Sequence, residues 1–465
     1  MRALEILLLL TGLAALLGLA APRLRRFGRP AALATAVVAA AHVLVEGGRW
    51  QMAPAYALAA CLLAAALWRG RAVGRRTRRA GLALGGVGLV LALAASLAFP
   101  VFRFPAPEGP YAIGTVTYHW TDPARPDPFT PDPADRREVM VQVWYPARPA
   151  DGPRARYVQD GAALAPIARV LGLPPFVTSH LSLVRTHAAE GAAAAALGPR
   201  PVLVFSHGRG GYRQHNTYMT EALVSRGYVV AAIEHPSAAA GVVFPDGRVT
   251  TMDPRMMDEG FVDRSVAVLA QDVRFVADRL AALDAGDPKG LLTGRLDLRR
   301  LGLFGVSLGG MTTAAACQQD PRFRACLILD AVVPPEVVEA GLRQPVMWIS
   351  RDVATMRAEG WREADVLETD GSMRAAFAGL SGDGYLVLIP GVFHPGFADA
   401  PFLAATPVAR SLGLVGPAEP RRAGRIMNAY ALAFFDRHLN GAPAPLLDGP
   451  PAAWPEVIFE SRRSR

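Results

Sequence analysis

Leu301-Gly302-Leu303-Phe304-Gly305-Val306-Ser307-Leu308-Gly309-Gly310 joins a short apolar run to a serine set between glycines. A continuous apolar run of this length suits a strand buried on both faces, and Gly309–Gln318 reads as the helix that follows it. A turn this tight needs glycines on either side of the serine, whose hydroxyl is then held exposed above the sheet edge. The helix start beside it favours developing negative charge. Gly-x-Ser-x-Gly alone is a common pattern. With a strand before it and a helix after it, Ser307 reads as a nucleophile, and Gly305 and Gly309 as the glycines of its elbow.

The alternation continues in both directions. Strands are expected at Val202–Ser206, Val229–Glu234, Ala325–Asp330, Val346–Ser350 and Tyr385–Ile389. Helices are expected at Tyr218–Arg226, Asp258–Leu283 and Ala423–Leu439. Short apolar strands alternating with helices imply a mostly parallel sheet covered on both faces, the α/β-hydrolase fold. Two more strands, Tyr111–Tyr118 and Glu138–Tyr145, come before it. Between them and the regular part lies 150–199, with a helical piece near Ala162–Leu171 and an Ala-rich piece at Ala188–Leu197, a candidate lid or cover. The hydrolase domain is therefore expected over 111–442, with Pro443–Arg465 a Pro-rich tail over its surface.

This fold says where the other reacting groups belong. Phe205-Ser206-His207-Gly208-Arg209-Gly210-Gly211 ends an earlier strand. The loop there supplies one backbone N–H of the oxyanion hole, and the residue after the nucleophile supplies the other. Arg209 and Leu308 are those donors, with Gly208 and Gly210 shaping the loop. His207 is on the wrong loop for a base and is expected to brace the hole. The base is His394, which follows the last strand and precedes the final helix; His438 is expected in a helix-end surface role. Two acids satisfy the Ser…Asp…His order: Asp330 ends one strand and Asp352 follows the next, and the fold's usual position favours Asp352. The remaining histidines lack the spacing of ligands, and three cysteines make neither a zinc site nor a disulfide framework. No metal or cofactor is expected, and Cys317 and Cys326 are expected as buried thiols.

The 465 residues are 51% hydrophobic and 19% charged, with a formal charge of +9. Mean hydropathy is +0.22, and a soluble chain averages about 25% charged residues. Residues 1–102 hold 12 of the 49 basic and 2 of the 40 acidic side chains, leaving 37 against 38 in the rest. The basic excess thus belongs to the N-terminal segment, which removes a nucleic-acid reading. Four apolar runs, Ala3–Ala21, Pro30–Val45, Met52–Trp68 and Ala80–Phe102, make 1–102 a transmembrane bundle in contact with lipid. A cleavable signal peptide fits poorly, because Arg23, Arg25, Arg26 and Arg29 and three more runs follow the first. Those arginines, and Arg69, Arg71, Arg75, Arg76, Arg78 and Arg79, mark two cytoplasmic loops. Everything after the fourth run, including the linker 103–110, then lies outside the cell. The helices read as an anchor, with His42 packed and no paired charges.

Phe205-Ser206-His207-Gly208 with Gly210, the elbow at Ser307, Leu329-Asp330-Ala331 and His394 with Phe397-Ala398-Asp399 together resemble the platelet-activating factor acetylhydrolases. The likeness is to the plasma and intracellular type II lineage and spans about residues 110–440. It implies Ser307 as nucleophile, Asp330 as acid and His394 as base, with the amides of Arg209 and Leu308 as the oxyanion hole. It also implies calcium-independent hydrolysis of short or oxidised acyl chains at the sn-2 position of phospholipids. The sequence departs from the family at Arg209, at Pro395-Gly396 and in its N-terminal runs, which bear on substrate and leave the triad intact.

The expected function is a membrane-anchored serine ester hydrolase acting on an ester or phospholipid, or a more general carboxylesterase or polyester hydrolase. The contrasting class, a non-catalytic membrane sensor or accessory protein, would call for a broken triad, and no part is missing.

Overall fold

The computed structural model describes residues 1–68, 74–149, 152–449 and 453–464. Four N-terminal helices come first, α1 (Ala3–Ala20), α2 (Arg25–Ala41), α3 (Ala53–Leu67) and α4 (Arg75–Ala98). With their flanking turns they give four segments long and apolar enough to cross a membrane. Leu10, Val37, Leu84 and Val90 are exposed on them. Arg69 and Arg71 of the third connection lie outside the described residues.

The bundle corrects one expectation. His42 is not merely packed, and charges are paired. Glu5 receives Arg49 at 2.7 Å and Arg2 at 2.7 Å. The His42 ring is bracketed by Arg2 at 2.9 Å and by the Tyr56 hydroxyl at 2.8 Å. Arg2 and Glu5 lie some 40 residues before His42 and Arg49 in sequence, and only the hairpin packing of the helices brings them together. At the same end Trp50 Nε1 donates to Val177 O at 3.1 Å, and Ala405 N donates to Ala98 O at 2.9 Å. The α/β part of the chain is seated on this end of the bundle, away from the arginine-rich turn at 23–29.

Beyond 103–110, which has no regular structure, the described residues build one sheet of eleven strands and a small hairpin. The strands before the nucleophile are β1 (Ala112–Pro126), β2 (Arg136–Ala147), β3 (Arg154–Arg156), β4 (Arg185–Glu190), β5 (Arg200–Ser206) and β6 (Val229–Glu234). The hairpin is β7 (Gly241–Val243) with β8 (Val249–Thr251), and β9 (Leu296–Val306) leads to Ser307. Then come β10 (Phe323–Leu329), β11 (Val346–Ser350), β12 (Gly384–Leu388) and β13 (Ile458–Arg462). The order is β13-β12-β11-β10-β9-β5-β6-β2-β1-β4-β3. From β6 to β12 all neighbours are parallel. Side chains of β5, β6, β11 and β12 are buried almost throughout, so both faces must be covered.

Helices α5 (Leu164–Val170), α6 (Thr217–Ser225), α7 (Glu259–Ala285) and α8 (Leu308–Gln319) alternate with these strands. They are followed by α9 (Pro335–Ala340), α10 (Val353–Ala358), α11 (Glu363–Gly379), α12 (Thr406–Ser411) and α13 (Pro420–Asn440). One face of the sheet packs with α7, α8 and α11 through Val273, Leu280, Ala314 and Met373. The other packs with α6 and α13 through Leu223, Tyr430 and Phe434.

Three readings change. The Ala-rich stretch begins within strand β4, parallel to β1, with Ala188 and Ala189 buried on opposite faces of the sheet. The tail does not simply lie over the surface; it ends in β13, antiparallel to β12. Cys317 and Cys326 form a disulfide, joining α8 to β10, instead of remaining thiols. Strand register accounts for this, because β10 returns directly beside the helix that β9 launched.

Candidate active site

Ser307 occupies the one-residue turn between β9 and α8, with φ 57° and ψ −124°. A non-glycine residue there is strained, and its neighbours leave no alternative packing. A Cβ on Gly305 would lie 2.1 Å from Gly309 O, and one on Gly309 would lie 2.0 Å from Ser206 O. The sequence therefore needs glycine at both positions to bring β9, α8 and the 206–208 loop this close. Ser307 N donates to Leu329 O at 3.0 Å, which holds the turn against the end of β10.

The 207–211 loop packs on the elbow. A Cβ on Gly208 would touch Ser307 Cβ at 3.3 Å. Gly210, at φ 66°, donates its N–H to Ala238 O at 2.8 Å. The amides of Arg209 and Leu308 have no acceptor among the turn and loop hydrogen bonds of the described residues. Both residues line the same cavity as Ser307, of about 420 Å³, with Met311 and Trp361. A cavity of about 550 Å³ beside His119 and Arg154 contains none of the expected site residues.

His207 is buried and donates from Nδ1 to Gly208 O at 2.8 Å, while Nε2 accepts from His235 N–H at 3.1 Å. Burial, with His235 beside it, holds the ring well below the usual imidazole range. It is a neutral brace for the loop. Beneath it lies an arrangement that sequence order did not reveal. His235 bridges Ser206 Oγ at 3.0 Å and Asp272 at 2.9 Å, a second Ser-His-Asp chain. Ser206, His235 and Asp272 are all fully buried, so the hydroxyl cannot meet a substrate. Burial pushes the Asp272 carboxyl up, and Arg137 at 2.7 Å overrides it, holding the group well below the carboxylate range.

Asp330 directly follows β10, at φ 44°. Its Oδ2 accepts from His394 Nδ1 at 2.6 Å, and its Oδ1 accepts from Ser350 Oγ at 2.6 Å. Burial pushes this carboxyl up, but Arg351 at 3.3 Å and the His394 hydrogen bond bring it below the usual range. His394 follows β12 in a short turn and is part-exposed. Asp352 does not reach it. That carboxylate caps α10 by accepting from Thr355 N at 3.2 Å. The structure thus brings Asp330 and His394 together, with Ser307 on the neighbouring strand end. Among the described residues Ser307 and His394 are not hydrogen-bonded to each other; in unliganded sites this contact is often loose and tightens with substrate. Trp361, Arg351 and Glu359 around His394 belong to no motif, and nothing in the sequence singled them out. His438 is half-buried, with its Nε2 3.1 Å from the Tyr385 hydroxyl, where a surface role was expected. The turn of α13 that carries it packs over β12.

Burial, and then the nearby His394, pushes His215 down to about 4; burial pushes His438 to about 4 also. An unfolded imidazole titrates near about 6.5. Between those values the unfolded chain binds protons that the folded chain refuses. Their contribution to stability is therefore complete above about pH 6.5 and falls as pH drops toward 4. The melting temperature of the solubilised protein should be lower at pH 5.0 than at 7.5. An equal or higher value at pH 5.0 would contradict the burial of neutral rings.

The chain resembles known proteins in both sequence and structure. It is 24% identical over 362 residues to the platelet-activating factor acetylhydrolase of Cavia porcellus, covering 72% of this chain and 78% of that one. The Gallus gallus acetylhydrolase is 23% identical over 377 residues, covering 73% and 84%. Among solved structures, a ferulic acid esterase from Streptomyces cinnamoneus superposes with a TM-score of 0.64 at 35% identity, covering 77% of this chain and 99% of that one. The family profile described as platelet-activating factor acetylhydrolase, isoform II, matches residues 98–259 and 283–442, a span that takes in the elbow, the 207–211 loop, Asp330 and His394. The chain belongs to that family.

Proposed function

We propose that the protein is a membrane-anchored serine carboxylic ester hydrolase whose nucleophile, base and acid are Ser307, His394 and Asp330. The observation that carries the reading is the 2.6 Å contact of His394 Nδ1 with Asp330, beside a strained serine on an adjacent strand end. Ser307 Oγ attacks the ester carbonyl while His394 Nε2 takes its proton. The amides of Arg209 and Leu308 receive the oxyanion. His394 then returns the proton to the departing alcohol, leaving an acyl-enzyme, and water activated by the same imidazole releases the acid. Asp330 holds the ring in the tautomer this requires. No metal is used.

The four apolar helices and the arginine-rich connections support an anchor with the catalytic domain outside the cell. The Cys317–Cys326 disulfide fits that side, because disulfides persist in oxidising compartments. A reporter fused at Gly74 should behave as cytoplasmic, and one at the C-terminus as exported. Two cytoplasmic reports would overturn the positive-inside reading and the exported catalytic domain.

Family membership favours a short or oxidised acyl ester, including the sn-2 ester of a phospholipid. The higher identity to a ferulic acid esterase favours a second reading, an ester of an aromatic acid. Turnover of p-nitrophenyl esters from C2 to C16, sn-2 acetyl and long-chain phosphatidylcholines and methyl ferulate tests both. No turnover of any ester would remove the hydrolase reading.

A further inference from the structure

Arg351 directly follows β11, and its side chain is wholly buried. A buried guanidinium is costly unless it is paired on several sides. Nη2 lies 3.3 Å from Asp330 Oδ2, the oxygen that also accepts the His394 N–H. Nη1 donates to Glu359, and the guanidinium carbon lies 4.0 Å from the centre of the Trp361 ring. Glu359 in turn accepts from the backbone N–H of His394 at 3.0 Å. Trp361 stands edge-on to the imidazole, ring centres 5.4 Å apart. Each contact of Arg351 therefore leads back to His394, through the acid, through the main chain, and through the aromatic ring.

We infer that Arg351 and Glu359 are positioning residues that set how firmly the Asp330–His394 pair holds a proton and where the imidazole stands. The inference rests on reading Asp330 and His394 as acid and base. A carboxylate stabilises the imidazolium that forms when the serine proton is taken. A guanidinium on the same carboxylate oxygen draws on that negative charge and loosens the hold, which eases return of the proton to the leaving alcohol. Glu359 works in the opposite sense, by offsetting the guanidinium and by placing its own negative charge beside His394. The charged and titratable groups facing the imidazole are Asp330, Glu359 and His215; those facing Asp330 are Arg351 and His394, with the Ser350 hydroxyl. Burial raises the Asp330 carboxyl, and Arg351 is the first group that opposes it. A purely structural ion pair would need only the Arg351–Glu359 contact. The approach to Asp330 Oδ2 adds nothing to such a pair and acts on the acid.

The test is the pH dependence of kcat/KM for p-nitrophenyl acetate with the full chain in detergent. Its acid limb reports protonation of the base. Arg351→Met should move that limb to higher pH by about one unit. Glu359→Gln, which keeps an acceptor for His394 N–H, should move it to lower pH. The double variant should return it close to the wild-type position. Arg351→Lys should leave the limb in place and lower kcat, because one ammonium cannot span the acid, Glu359 and the ring. If Arg351→Met does not fold, Glu359→Gln and Arg351→Lys carry the comparison. A limb that stays put in Arg351→Met or Glu359→Gln, or a shift of both in the same direction, overturns the inference. Failure of the underlying reading looks different: Asp330→Asn would then turn over substrate at the wild-type rate.

Discussion

Ser307→Ala is expected to lower kcat by about 10⁴-fold or more, and His394→Ala by a similar factor, because triad members act as a unit. The double variant should be hardly worse than either single one. Two effects that multiply would show that the residues act independently. Folding should survive, since Ser307 Oγ has no hydrogen bond to lose among the described residues. Fluorophosphonate labelling adds a sharper comparison. Ser206, His235 and Asp272 copy the hydrogen-bond chain of a triad, so bonding pattern alone would predict two reactive serines. Exposure separates them: Ser307 is half-buried at a cavity, while Ser206 is sealed. The label should be found on Ser307 and should vanish in Ser307→Ala. Label persisting on Ser206 would mean that this buried chain opens.

Asp330→Asn should come close to abolishing turnover, while Asp352→Ala should keep most of it. Without the carboxylate His394 adopts the wrong tautomer, a loss of about 10⁴-fold in kcat in the serine protease case. The amide still fills the same space and can still accept from Ser350, and Arg351 keeps Glu359, so the melting temperature should fall only modestly. Asp352 has a different task. It caps α10 and binds Thr355, whose hydroxyl in turn accepts from Gly391 N at 2.8 Å. Losing a cap costs about 1 kcal/mol, read as a small drop in melting temperature. The reverse pattern would move the acid to Asp352 and take the roles argued for Arg351 and Glu359 with it.

The parallel core was readable because each of its strands is a short, nearly uninterrupted apolar run, and Val229–Glu234 and Val346–Ser350 match their observed bounds. The elbow was readable because steric crowding at Gly305 and Gly309 leaves a visible signature. Choosing between the two acids was harder. Both follow strands in the right order, so fold position favoured Asp352 and only family likeness favoured Asp330. The contact that distinguishes them depends on how the 391–397 loop folds back over β10. Long-range polar contacts outside these motifs left no trace. Arg351, Glu359 and Trp361 are ordinary residues until β11 and the turn after α10 put them around one imidazole. Helix α11 was missed because charged residues interrupt its apolar face. The Glu5–Arg49 pair was missed because each charge stands at the end of a different apolar run.

Strand β13 has a consequence for how the molecule behaves in company. It pairs along all five residues of β12, the strand whose exit loop carries His394. Without it β12 would be an open edge, five residues of apolar backbone with a row of unmet donors and acceptors. Such an edge is a template for another chain. The closing strand carries Glu460, Arg462 and, just past it, Arg463, so the sheet's border is charged where it meets solvent. For copies crowded side by side on a surface, that border discourages one sheet from growing into the next.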